Sequence, residues 1–221
     1  EASNTFYAVD FRGSGVTLDT IYIWGAQLEE QSYATSYIPT YGAIATRSSE
    51  IINNAGDVNT FNSEEGVLFA EVAINGLHPM YIQLSDGTYD NRVSLINNNS
   101  ATSWRTFYRV GGASQIDETA SFLNSFEMNK IAISWKLNEF KFFVNGVKIS
   151  EINSGIVNAA NTFNTLDFSD IGGTNPFYGK TSQVQVFNTA LSDSELALLT
   201  GQGDNYDSYE AMRIALNYNI Q

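Results

Sequence analysis

The chain has 221 residues, 43% hydrophobic and 13% aromatic but only 16% charged, the reverse of the composition that keeps a chain disordered. Its 24 acidic and 11 basic residues leave a formal net charge of -13, so nucleic acid and anionic bilayers meet net repulsion and neither is an expected partner. With no cysteine and one histidine there is no disulfide, no thiol nucleophile and no multi-histidine metal centre, and no apolar run approaches the roughly 20 residues of a membrane-spanning helix.

In chain order, Tyr7 to Phe11 and Val16 to Gln27 hold two or three strands, too few to enclose a core alone. An opening Glu1 in place of Met is what a piece of a longer protein would present. Gln31 to Ser49, rich in Ser, Thr, Tyr and Ala around Pro39, reads as a linker or extended arm with a boundary near Arg47. Beyond it, short runs of β-branched and aromatic residues between Asn, Gly, Asp and Ser clusters predict strands at Val67 to Ala73, Tyr81 to Leu84, Arg92 to Ile96, Thr106 to Val110 and Gln183 to Phe187. The strongest hairpin signal runs from Lys130 to Ile149. Ile131, Ile133, Trp135 and Leu137 alternate with small or polar residues, Asn138-Glu139 turns the chain into Phe140, Phe142 and Val144, and Asn145-Gly146 supplies the positive φ of a type I′ turn. Ser192 with Glu195 three residues on is a capping box ahead of Leu196, Leu198 and Leu199, with Gly201 as the stop. Asp207 to Asn217 predicts a second short amphipathic helix. The fold class that follows is all-β, a two-sheet antiparallel sandwich with short C-terminal helices.

Several strings resemble the laminin G-like, concanavalin A-like jelly rolls of phage tail and virion fibre proteins and of secreted bacterial surface proteins. Glu65-Gly66-Val67-Leu68-Phe69 resembles the opening strand, and Phe140 to Val147 the strand and turn that follow it later in the family. Phe177-Tyr178-Gly179, then Val184 to Leu196, resembles the closing strand and short helix. Ile82 to Thr88 with Asp90-Asn91-Arg92-Val93 resembles the phage-associated branch. Tyr22 to Glu29 with Ser36-Tyr37-Ile38-Pro39-Thr40 resembles the final strand of a carbohydrate-binding module. The resemblance implies three segments: residues 1–46 as N-terminal strands and arm, the end of a preceding module; 47–200 as the jelly roll; and 201–221 as a helix packed on it.

A catalytic reading finds little support in the residues. Glycosidases of this architecture need two carboxylates flanking the scissile bond, and Glu64-Glu65, Asp117-Glu118 and Asp167 with Asp170 do not reproduce their Glu-x-Asp-x-x-Glu strand pattern. His78, beside Pro79, reads as a solvated loop residue and not as part of a lyase constellation. The protein is therefore expected not to be an enzyme. Relatives of this kind hold calcium at a sandwich rim, for which Asp86, Asp90 and Asn91 are candidates, with Asn53, Asn54 and Asp57 as a weaker cluster. The alternative is that Asp86-Gly87 is simply a turn.

Sugar recognition calls for an exposed aromatic plate plus amide, carboxylate or guanidinium groups in fixed directions. Trp104, Arg105, Tyr108 and Arg109, following Asn97 to Asn99, are one such set, and Asn175, Phe177 and Tyr178 another. The expected ligand-binding residues are Trp104, Arg105, Tyr108, Asp86, Asp90, Asn175 and Tyr178. The expected function is non-catalytic adhesion, as the receptor-binding part of a phage tail or virion fibre that recognises a bacterial surface glycan. That places the protein outside the cell or on a virion, where uncovered apolar stripes suit a homotrimer. A carbohydrate-binding appendage of a secreted polysaccharide-degrading enzyme and a purely structural virion decoration domain are the alternatives.

Overall fold

The computed structural model describes residues 55–201 together with Tyr37, Pro39 and residues 41–44. The strands expected at 7–11 and 16–27 and the helix expected at 207–217 lie outside the described residues. The chain divides into two units, Glu1–Glu50 and Ile51–Gln221, the second of which holds every element named below.

Among the described residues of the second unit there are ten strands: β1 (Gly66–Ile74), β2 (Pro79–Ser85), β3 (Arg92–Asn98), β4 (Ser103–Val110), β5 (Ala113–Ser121), β6 (Asn129–Lys136), β7 (Glu139–Val144), β8 (Val147–Ile152), β9 (Thr165–Asp167) and β10 (Gly179–Phe187). They form two antiparallel five-stranded sheets, one in the order β10-β1-β6-β7-β8 and the other in the order β5-β4-β3-β2-β9. This is the expected two-layer all-β sandwich. Alternate side chains from the two sheets meet in one core, among them Leu68, Val72, Ile82, Leu84, Leu95, Ile133, Trp135, Phe140 and Phe142. β1 reads as a nearly continuous apolar run because both of its faces are covered. Leu68 and Ala70 point into the sandwich, while Val67 and Phe69 point outward beneath the helix α1 (Asp193–Thr200).

Local chemistry explains the connections. Val144 faces Val147 across Asn145 and Gly146, whose φ values of 50° and 82° are those of the expected tight turn. The turn before it sits one residue earlier than expected. Lys136 pairs with Glu139, so Leu137 and Asn138 make the corner, Leu137 is exposed, and Asn138 takes the left-handed conformation with φ 60°. Helix α1 begins as predicted: the Ser192 hydroxyl accepts from the Glu195 N–H, and the Glu195 carboxylate accepts from the Ser192 N–H at 2.8 Å. Leu191, Leu196 and Leu199 then seal Val67, Phe69, Ala132 and Phe143 on the outer side of that sheet. Lys141 and Lys148 both reach Asp193, at 2.9 and 2.7 Å, and tie the start of the helix to β7 and β8.

Candidate functional site

The outer face of the β5-β4-β3-β2-β9 sheet carries no such cover from the helix, and its side chains follow from strand alternation. On β4, Trp104 and Tyr108 join the core, so Arg105, Phe107 and Arg109 must point outward. Register then builds two rows across the sheet: Asp167, Gln83, Ser94, Phe107 and Asp117 in one, and Thr165, Ser85, Arg92, Arg109 and Ser114 in the next. Phe107 is only 2% exposed because three guanidiniums cover its ring, those of Arg92 and Arg109 at 4.7 Å and that of Arg105 at 5.6 Å. Three of the chain's few cations thus share one patch of a strongly acidic protein.

Two of the three arginines are neutralised. Arg92, buried, donates to Asp170 at 2.7 Å and to Gln83 at 3.3 Å. Arg105 grips Asp117 by two parallel hydrogen bonds of 2.6 Å, which raise its pKa further above an already high value. Gln83, fully buried, retains an amide N–H without a partner.

Beside this row lies a cleft of about 300 Å³ lined by Gly87, Thr165, Asp167, Ser169, Asp170 and the helical turn Ile171–Gly173. Gly172 and Gly173 both sit at φ 76° with open space where a side chain would be, so bare backbone forms that wall. Asp170 anchors the turn by accepting from the Ile171 N–H at 2.8 Å while holding Arg92. Tyr89, half exposed, stands on the neighbouring loop, its hydroxyl donating to the Ile171 carbonyl at 3.4 Å and its ring 4.8 Å from the Arg92 guanidinium. An aromatic plate next to a polar cleft of this size is the combination a saccharide ring needs.

The expected site residues are not brought together. Trp104 and Tyr108, expected to meet a sugar, are 1% and 0% exposed and belong to the core. The reason is the period of two along β4, which separates them from their sequence neighbours Arg105 and Arg109 by the thickness of the sheet. The Tyr108 hydroxyl donates to the Ser63 carbonyl at 2.8 Å and accepts from the Asn158 N–H at 2.9 Å, and burial pushes its pKa up to about 12. Arg105 does face outward. Asp86 and Asp90 lie in the loop after β2, next to the cleft, whereas Tyr178 lies with His78 at the opposite end of β2, roughly 23 Å away at the rise of a seven-residue strand. Tyr178 is 43% exposed and its ring centroid is 5.7 Å from that of His78, so His78 is half-buried against an aromatic and not freely solvated. Asn175 is half-buried with φ 48°, on the segment that returns from the cleft toward Tyr178.

The loop carrying Asp86 does not fit a bound calcium. One Asp86 oxygen accepts from the Thr88 N–H and hydroxyl at 2.9 and 2.6 Å, and the other accepts from the Asn91 amide at 2.8 Å, which puts donors where a cation would sit. Burial works to raise the Asp86 carboxyl, and the hydrogen bonds from Thr88 and Asn91 overcome it and hold the group below the ordinary aspartate value. Asp57 is likewise held by Asn59 and Thr60; Asn53 and Asn54 lie outside the described residues. Among the described residues no group of three or more His, Asp or Glu side chains is placed to hold a metal, and no helix is long and apolar enough to cross a membrane.

Tyr89, Gln83, Phe107 and the cleft were not among the expected residues. The signal for the outer face was present in the Arg105-Thr106-Phe107-Tyr108-Arg109 string, where every second residue shares a side.

Residues 59–197 match the concanavalin A-like lectin/glucanases superfamily, and the chain belongs to it. No curated protein sequence matches the chain. Among solved structures, the chain is similar to the CBM40 module of the Ruminococcus gnavus IT-sialidase bound to α2,3-sialyllactose, with 19% identity and a TM-score of 0.55 over 69% of this chain and 96% of that one. It is also similar to the heptameric SAP-like pentraxin of Limulus polyphemus, with 10% identity and a TM-score of 0.53 over 70% of this chain and 77% of that one. A third likeness is to domain 4 of the extracellular arabinanase AbnA of Geobacillus stearothermophilus in complex with arabinotriose, with 14% identity and a TM-score of 0.51 over 66% of this chain and 70% of that one. At these identities the likeness is one of fold.

Proposed function

We propose that this chain is a non-catalytic carbohydrate-binding and adhesion module, the receptor-binding part of a phage tail or virion fibre that recognises a glycan on a bacterial surface. It acts outside the cell or on the virion. The observation that carries this reading is the half-exposed Tyr89 ring standing beside a polar cleft of about 300 Å³ on the sheet face that the helix leaves free. The ring stacks against the apolar face of a sugar, and the hydroxyls and carboxylates of Thr165, Ser169, Asp167 and Asp170 take its hydroxyl groups. A binding role without hydrolysis is supported by the outward carboxylates: Asp117 and Asp170 are each engaged by a guanidinium instead of standing free as an acid and base pair.

A glycan array read with and without calcium tests the proposal. Binding is expected with no loss on chelation, because Asp86 already spends its oxygens on its own turn. Absence of any glycan signal would leave only the structural decoration role, and sugar release from a host polysaccharide would refute the non-catalytic reading. A second reading, the carbohydrate-binding appendage of a secreted polysaccharide-degrading enzyme, is favoured by the sialidase and arabinanase parents of the two similar modules. Light scattering separates the two further: the fibre reading expects a homotrimer, and a monomer at micromolar concentration would remove it.

A further inference from the structure

The three guanidiniums around Phe107 face different partners. Arg92 meets Asp170 and Arg105 meets Asp117, but Arg109 donates only from Nε to the Ser114 hydroxyl, at 3.4 Å. Among the described residues no carboxylate pairs with Arg109, and both of its terminal amino groups are without a partner. It is half-buried and stacked on Phe107 at 4.7 Å, so the fork is held in place before any ligand arrives. Among the described residues it is the one arginine without an acidic partner.

Its position relates it to the cleft. Thr165, Ser85, Arg92 and Arg109 are successive partners across the sheet, three strand spacings in all, so Arg109 stands roughly 14 Å from Thr165 in the cleft and one strand from Arg92, which holds Asp170 of the nearer wall. Asp167 and Asp170 line the cleft itself and would repel an anion there. Resting on the glycan-binding reading above, we propose that the ligand is an acidic oligosaccharide that runs from the cleft, over the buried Ser85 and Arg92, to Arg109, with a hydroxyl-bearing unit in the cleft and the carboxylate of another unit seated on Arg109. The arrangement reads direction as well as charge, because reversing the chain would set the carboxylate against Asp167 and Asp170. The overall charge of -13 sharpens the choice, since it opposes anionic glycans whose carboxylate does not land on the fork.

A neutral glycan as the strongest array hit overturns the assignment; an acidic one is taken with its carboxyl-reduced form, in which the carboxylates are alcohols, and both are measured by calorimetry against wild type, Arg109→Gln and Arg109→Lys. Arg109→Gln is expected to weaken the acidic glycan about tenfold, the effect of losing one charge-assisted bidentate pair, and to leave the reduced glycan unchanged. Arg109→Lys keeps the charge but loses the fork and falls between. Arg109→Lys should melt close to wild type and Arg109→Gln slightly lower, because the guanidinium covers Phe107 but holds no ion pair in the fold. Equal wild-type affinity for the acidic and reduced forms, or wild-type affinity in Arg109→Gln, overturns the assignment while leaving glycan binding intact. A wild-type protein that binds no glycan overturns the binding reading itself, and this inference with it.

Discussion

The outer faces of the two sheets are built from the same strand alternation and put to opposite uses. On the β10-β1-β6-β7-β8 sheet the outward residues Val67, Phe69, Ala132 and Phe143 are apolar, and helix α1 closes over them. On the other sheet the outward residues are Gln83, Ser94, Arg92, Arg105 and Arg109 around one aromatic ring, with a cleft and an exposed tyrosine at the edge. An apolar cover stabilises the fold; a polar face whose centre is packed but whose margin leaves Tyr89, Arg105 and Arg109 partly exposed is able to bind. The prediction is that substitutions separate cleanly, with stability answering to the helix side and affinity to the arginine side.

Four substitutions test that separation. Leu196→Ala empties a fully buried position under α1 and is expected to cost about 2–5 kcal/mol in denaturant unfolding while glycan affinity stays as in wild type. Loss of affinity in the folded variant would break the comparison. Tyr89→Ala removes the plate and is expected to weaken glycan binding about tenfold in calorimetry, with little change in melting temperature, since the ring is half exposed. Ser192→Ala removes the capping box at the start of α1 and should cost about 1 kcal/mol, a fall in Tm of roughly 2–4 °C. Asp86→Asn should lower stability above about pH 4 and converge on wild type in acid. Folding lowers the Asp86 pKa, so the folded state binds fewer protons, and the resulting stability is full above about pH 4 and disappears as pH falls through the lower folded value. The variant's stability should therefore depend less on pH below about pH 4, read as unfolding free energy across an acid series.

Strands with an apolar inner face were legible from the residues alone, because burial writes itself as alternation. β2, β3, β4 and the β6-β7-β8 meander are of this kind, each with at least two inward apolar residues or a positive-φ turn to mark it. β5 escaped notice because it is an edge strand with only Ile116 and Ala120 buried among exposed polar residues. β9, three residues long, rests on Leu166 and its pairing with β2, a contact between residues about eighty positions apart that no local pattern records. The site failed to appear for a related reason. Adjacency in sequence is not adjacency across a strand: Trp104 and Tyr108 lie on one side of the sheet and Arg105 and Arg109 on the other. The cleft needs Gly87, Thr165 and Gly173 side by side, and Tyr89 gains its role only once Ile171 is beneath its hydroxyl.

The proposed function stands or falls on recognition at the polar outer face of one sheet. Backbone amide shift mapping by NMR during titration with the strongest array glycan tests it most directly. The shifts are expected at Gly87 to Tyr89, at Thr165 to Gly173 and at Arg105 to Arg109. Shifts confined to the far end, around Leu77, His78 and Tyr178, or to the face beneath α1, would contradict it.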